Sequence, residues 1–137
     1  MTTPYLHRAE RLIVMSEVDV AQIHFSTLVR FMDRGLSEWL AAIDHPFLWV
    51  LEHGPGIPIV NVSLDIGKRI HLDDVIAVTT SVGAFGRSSF KSRHVFERNG
   101  EEVARGELTH VCVNRETRES IPAPDWLREH EAFPKEA

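Results

Sequence analysis

The chain has 137 residues, 43% hydrophobic and 26% charged, with a formal net charge of −5. That size and balance describe one globular domain spanning residues 1–137 and exclude a disordered chain, while the negative charge disfavours nucleic acid as the main partner, because phosphate binding requires a concentrated basic surface. No run reaches the roughly 20 apolar residues of a membrane span, and Met1 to Ala9 lacks the apolar stretch of a secretory signal, so a soluble cytoplasmic protein with no membrane partner is expected.

A first segment around Leu6 to Met15 reads as a strand. From Leu28 the apolar residues Phe31, Met32, Leu36, Trp39, Leu40 and Ile43 recur at helical spacing. Val29 and Gly35 widen that face, which predicts a helix buried on most sides. Ser26 or Thr27 stands where an N-cap belongs, its oxygen available to the first free amides. His53-Gly54-Pro55-Gly56 then breaks the chain, and the segment Asp44 to Gly56 reads as an apolar loop.

Beyond Ile59 the period changes to two. Val60, Val62, Leu64 and Ile66 alternate with Asn61, Ser63 and Asp65, predicting a strand with one buried face. Three further strands follow: Ile76 to Val82, Phe90 to Arg98, and Val103 to Val113, the last two joined by the hairpin signal Asn99-Gly100. Such short connections make antiparallel pairs, since a parallel crossover needs a dozen or more residues. A short helix over Asp125 to Phe133 ends the pattern. The single cysteine, Cys112, excludes an intrachain disulfide and a Cys-rich metal site, and its apolar strand marks it as a packed core thiol. One sheet needs its apolar face covered, and the only element large enough is the first helix. A curled antiparallel sheet wrapped around one long helix is an α+β hotdog arrangement. Its open edge strands are a liability that pairing across a two-fold axis removes, so a homodimer, or a tetramer built from dimers, is expected.

Chemistry gathers just before the helix, in Glu17-Val18-Asp19-Val20-Ala21-Gln22-Ile23-His24-Phe25-Ser26. The first turn of a helix presents unpaired amides and the positive end of its dipole, which stabilise negative charge developing on a carbonyl oxygen. Asp19 can attack the carbonyl carbon itself or deprotonate a water that does so. The eight histidines include no His-x-x-x-His pair of metal-ligand spacing, so no metal is expected. Lys68, Arg69, Arg87, Lys91 and Arg93 fall near one another in sequence and suit a phosphorylated small molecule.

The stretch from Val18 to Asp33 resembles the signature of the 4-hydroxybenzoyl-CoA thioesterase family, in which an Asp-x-x-Gly loop leads to His-Phe-x-Asn and an aromatic-rich helix. Gly56 to Val60, Asp73 to Ile76 and Ser89 to His94 resemble later pieces of the same family, and the likeness runs from Arg11 to Asn114. It implies a hotdog acyl-CoA thioesterase without a cofactor, CoA being part of the substrate. By that resemblance Asp19 takes the place of the catalytic carboxylate, and the amides near Ser26 and Thr27 take that of the carbonyl-polarising helix terminus. His24 takes a helping role. Arg87, Ser88, Ser89, Lys91 and Arg93 lie where relatives face the nucleotide part of CoA, and the acyl group runs past Phe31, Trp49 or Asn61. Three departures stand out: Gln22 replaces the usual Gly, Thr27 replaces Asn, and the loop from Asp19 to Phe25 is one residue shorter, which makes Glu17 a reserve carboxylate. A hotdog acyl-thioester hydratase or dehydratase, and a non-catalytic acyl-CoA binding protein, are the alternative readings.

Overall fold

The computed structural model describes residues 3–19 and 22–136. In chain order the elements are β1 (His7–Leu12), a 3-10 turn (Met15–Glu17), the two-residue strands β2 (Val18–Asp19) and β3 (Gln22–Ile23), and the helices α1 (Phe25–Ala42) and α2 (Phe47–His53). Then come β4 (Ile59–Ile66), β5 (Val75–Gly83), β6 (Ser89–Arg98), β7 (Glu101–Val111) and the single turn α3 (Asp125–Arg128). The five long strands form one antiparallel sheet in the order β1-β5-β6-β7-β4.

Side chains alternate across a strand, so one set from each faces α1. Val78, Thr80 and Val82 of β5, Phe90, Ser92, His94 and Phe96 of β6, and Ala104, Leu108 and His110 of β7 are the buried set. Against them α1 lays Leu28, Phe31, Met32, Leu36, Trp39 and Leu40, all buried. Each such side chain contributes about 1.5–3 kcal/mol when removed from water, far more than helix propensity offers, so this stripe is what docks the helix. The result is the α+β hotdog fold.

Two apolar clusters divide the core. One joins Ile13, Leu28, Phe31, Met32, Ile76, Val78 and Phe96; the other joins Leu36, Trp39, Val82, Phe90, Cys112 and Leu127. The Cys112 thiol is fully buried, and that burial pushes its pKa up to about 11. Between the clusters lies a polar chain. Nδ1 of His110 is 3.2 Å from the Ile57 carbonyl, which only accepts, so this nitrogen carries a proton. The orientation then propagates: Ser92 Oγ donates to His110 Nε2 (3.3 Å), His94 Nε2 donates to Ser92 Oγ (3.0 Å), and Thr80 Oγ1 donates to His94 Nδ1 (2.9 Å). Burial, with His110 close by, pushes the pKa of His94 down to about 3, and burial also lowers that of His110, so both rings are neutral at pH 7, as this chain of donors requires. Gly35 sits directly above, where an added Cβ would collide with Thr80 Oγ1.

Five local expectations change. The helix is capped by His24 rather than by Ser26 or Thr27, and it begins at Phe25. It is covered on one face, while Arg30, Asp33, Arg34 and Ser37 opposite are exposed. The segment expected as a loop after Asp44 contains α2, and the last helix ends at Arg128 rather than Phe133. Finally, β4 has no buried face in the protomer: Val62, Leu64 and Ile66 pair with the inward residues Leu108, Gly106 and Ala104, yet Val62 is 51% and Ile66 47% exposed. The cause is position, because β4 is an edge strand beyond the cover of α1.

Candidate active site

The chain leading into α1 is tied down by backbone bonds. The amide of His24 donates to the Glu17 carbonyl at 2.9 Å, and the Thr27 hydroxyl donates to the same oxygen at 3.2 Å. Asp19 and Gln22 pair across the small β2–β3 ladder, and the Ile23 amide donates to the Ile70 carbonyl at 2.8 Å, bringing the segment after β4 alongside. Around these elements opens a cavity of about 720 Å³ lined by Asp19, Gln22, Ile23, His24, Phe25 and residues 66–70.

Asp19 is exposed on the cavity wall, and its carboxylate enters no hydrogen bond or ion pair among the described residues. His24 and the head of α1 share that wall. Nδ1 of His24 lies 2.7 Å from Ser26 Oγ and accepts the Ser26 amide at 3.3 Å, and the ring packs on Phe25 at 4.7 Å between centroids. The Thr27 amide is satisfied by the His24 carbonyl at 2.9 Å. Of the first helical residues, Phe25 is therefore the one whose amide has no partner among the described residues and which also lines the cavity. Ser26 and Thr27 do not line it, and the Thr27 side chain is fully buried as a brace. Glu17 is likewise occupied, its carboxylate accepting the Val14 amide at 2.9 Å to cap the 3-10 turn.

The remaining residues singled out from sequence lie elsewhere in the protomer. Phe31 belongs to the core. Trp49 on α2 is wedged among His45, His53 and Trp126. Asn61 stands opposite Thr109, on the sheet face away from α1. Lys91 and Arg93 also point outward, because Phe90, Ser92 and His94 take the inward positions. Both pair with Glu107, at 3.7 and 2.9 Å, and the Arg93 guanidinium lies 3.8 Å from the Phe133 ring centre. At the β5–β6 turn the Ser88 carbonyl accepts the Cys112 amide at 2.7 Å, and Ser89 starts β6. The Arg87 side chain is engaged by no partner among the described residues. These residues share the Ile59 end of the sheet, since Ser89 pairs with Val111 and Ile59 with His110. The Asp19 cavity opens at the Ile66 end, roughly 20 Å away at about 3.3 Å per residue. Also at the Ile59 end is a groove of about 520 Å³ lined by Phe47, Gly56, Ile57, Pro58, Val113, Arg115 and Arg118.

No helix among the described residues is long and apolar enough to cross a membrane. The family model described as the Thioesterase-like superfamily matches residues 13–130. The 1,4-dihydroxy-2-naphthoyl-CoA hydrolase of Synechococcus elongatus is 24% identical over 129 residues, covering 89% of this chain and 95% of the relative. The long-chain acyl-CoA thioesterase FadM of Escherichia coli is 26% identical over 115 residues, covering 82% and 86%. Among solved structures, the 1,4-dihydroxy-2-naphthoyl-CoA thioesterase of Synechocystis superposes with a TM-score of 0.81 at 18% identity, over 89% of this chain and 92% of that one. With a carboxylate, a histidine and a helix start on one cavity, and a family match over nearly its whole length, the chain belongs to the Thioesterase-like superfamily and is a thioester hydrolase of hotdog fold.

Proposed function

We propose that the protein hydrolyses the thioester of a small or medium acyl-CoA to free acid and CoA in the Asp19 cavity. The observation that carries this reading is the carboxylate of Asp19, unengaged among the described residues, on one wall with His24 and the start of α1. A thioester carbonyl docked at Phe25 meets a free amide and the helix dipole, which stabilise the oxyanion. Asp19 either adds its own oxygen to the carbonyl carbon, giving an anhydride that water opens, or takes a proton from the water that adds. On both routes the C–S bond breaks, the sulfur leaves as the CoA thiol after protonation, and the acid remains. A positioned base of this kind contributes about 10²–10⁴-fold.

The working unit in this reading is a homodimer, or a tetramer of such dimers, paired through β4. Ile59, Val60, Val62 and Ile66 are 47–59% exposed on that edge strand, an apolar strip next to unpaired backbone donors and acceptors. A two-fold axis through β4 pairs the two copies antiparallel, setting the Ile59 end of one beside the Ile66 end of the other. The Asp19 cavity of each protomer then meets the partner's copy of the β5–β6 turn with Arg87, Ser88 and Ser89 and of the groove at Phe47, Ile57 and Pro58. In this reading the cationic turn takes part of the CoA nucleotide, and the apolar groove takes the apolar part of a longer acyl chain.

The test is thiol release from a panel of aliphatic and aromatic acyl-CoAs. Free CoA and acid in equal amounts, with no hydration of an unsaturated acyl chain, is the expected result. A folded protein that releases thiol from none of them contradicts the proposal.

A further inference from the structure

The Asp19 cavity has a cationic wall that hydrolysis itself leaves unused. Lys68 and Arg69, on the stretch between β4 and β5, line it together with Asp19 and His24. Their backbone is held from several directions. The amides of Gly67 and Lys68 both donate to the Val103 carbonyl, at 2.9 and 3.1 Å, and the Ile70 carbonyl accepts the Ile23 amide. Arg98 Nη1 donates to the Arg69 carbonyl at 2.8 Å while pairing with Asp74 at 2.7 Å, and Asp74 in turn accepts the His71 amide at 2.8 Å. A side chain mounted on so fixed a backbone loses only its own rotamer freedom when it binds.

The two cations differ in what they already hold. The Lys68 ammonium is ion-paired with Glu101, whereas the Arg69 guanidinium enters no hydrogen bond or ion pair among the described residues. Arg8, Arg11, Arg93, Arg98 and Arg105 each hold a carboxylate; among the arginines that hold none in the described residues, Arg69 is the one that lines the cavity of Asp19. An arginine left without one in a chain of net charge −5, on the wall of a cavity, is a prepared anion-binding group. Its planar fork matches the two oxygens of a phosphate or carboxylate. Asp19 in the same cavity repels an entering anion, so a cation at a fixed place decides which end of a charged substrate enters where.

We infer that Arg69 is a specificity-determining residue that binds an anionic oxygen group carried by the thioester substrate, either a phosphate of the CoA moiety or a carboxylate on the acyl group. The inference rests on the Asp19 cavity being the hydrolytic site.

The experiment compares wild type, Arg69→Gln and Arg69→Lys on benzoyl-CoA, benzoyl-pantetheine and 4-carboxybenzoyl-pantetheine, with a thermal melt to check folding. Pantetheine lacks the nucleotide phosphates, so each substrate isolates one source of charge. For Arg69→Gln a loss of at least about tenfold in kcat/KM, carried by KM, is expected on the anionic substrates, with neutral benzoyl-pantetheine unchanged and partial recovery in Arg69→Lys. Loss on benzoyl-CoA alone assigns the group to phosphate; loss on the carboxylated thioester alone assigns it to the acyl chain; loss on both assigns it to either anion. Unchanged values on all three, or an equal loss that includes neutral benzoyl-pantetheine, overturns the inference while leaving the hydrolase reading intact. A wild type that cleaves neither these three nor any acyl-CoA of the wider panel removes the hydrolase reading and this inference with it.

Discussion

Nδ1 of His24 accepts the backbone N–H of Ser26 at 3.3 Å. A backbone amide only donates, so this nitrogen carries no proton, and the neutral ring keeps its hydrogen on Nε2. His24 therefore does two things at once, closing one free amide of α1 and offering an N–H donor from a side chain on the cavity wall. His24→Ala removes both, and steady-state kinetics should show kcat lowered about tenfold to a hundredfold, with a melting temperature only slightly reduced. Ser26→Ala leaves the amide contact in place and should retain most of the activity.

Gly35 tests the packing of helix on sheet. An exposed helical Gly→Ala change gains up to about 1 kcal/mol in propensity, but overpacking a core costs about 1–3 kcal/mol. Here the added methyl meets Thr80 Oγ1, which is committed to His94 and cannot retreat without breaking the buried chain. The cost should win, and urea unfolding of Gly35→Ala should show a net loss of about 1–2 kcal/mol.

The same buried chain gives the fold a pH dependence. His94, with a folded pKa of about 3 against an ordinary 6.5, is neutral in the native state across a range where the unfolded chain binds a proton. Its contribution is complete above pH 6.5 and is lost as pH falls from there toward 3, at about 1.4 kcal/mol per pH unit. His110, whose pKa burial also lowers, adds to the slope in the same direction. Denaturant midpoints measured from pH 7 down to pH 4 should fall steeply, and His94→Gln should flatten the curve.

How legible this was in the sequence depends on length and period. The strands β4 to β7 and the helix α1 declare themselves because period-2 and period-3.6 patterns run along them, whereas β1, His-Arg-Ala-Glu-Arg-Leu, carries no apolar alternation; Asn99 and Gly100 take the positive φ values that the tight hairpin requires. The helix α2 does not, since Phe-Leu-Trp-Val-Leu between Pro46 and Gly54 is an unbroken apolar run with no face to read. His24 is hard to read as the cap because serine and threonine stand two and three residues on with the usual capping chemistry. The outward direction of Lys91 and Arg93 was available in the alternation with Phe90 and Phe96. The place of Lys68 and Arg69 beside Asp19 was not, because it depends on one backbone bond between Ile23 and Ile70, which leaves no mark on side-chain pattern.

The edge strand β4 supplies a test of assembly. Val62 faces the α1 side of the sheet but is 51% exposed in the protomer, so a charge there harms an interface without entering a core. Sedimentation should find the wild type dimeric or tetrameric, and Val62→Lys should shift it toward monomer with a matching loss of thiol release and unchanged far-ultraviolet circular dichroism. A monomeric wild type would contradict pairing through β4.

The most direct measurement is the rate of thiol release by Asp19→Asn beside wild type on the best acyl-CoA of the panel, with folding checked by circular dichroism. The substitution keeps size and shape while removing both the nucleophilic oxygen and the base. A loss of at least about a hundredfold in kcat with the fold intact is the predicted result. Near-normal turnover would take Asp19 out of the reaction and leave the cavity beside it without a catalyst.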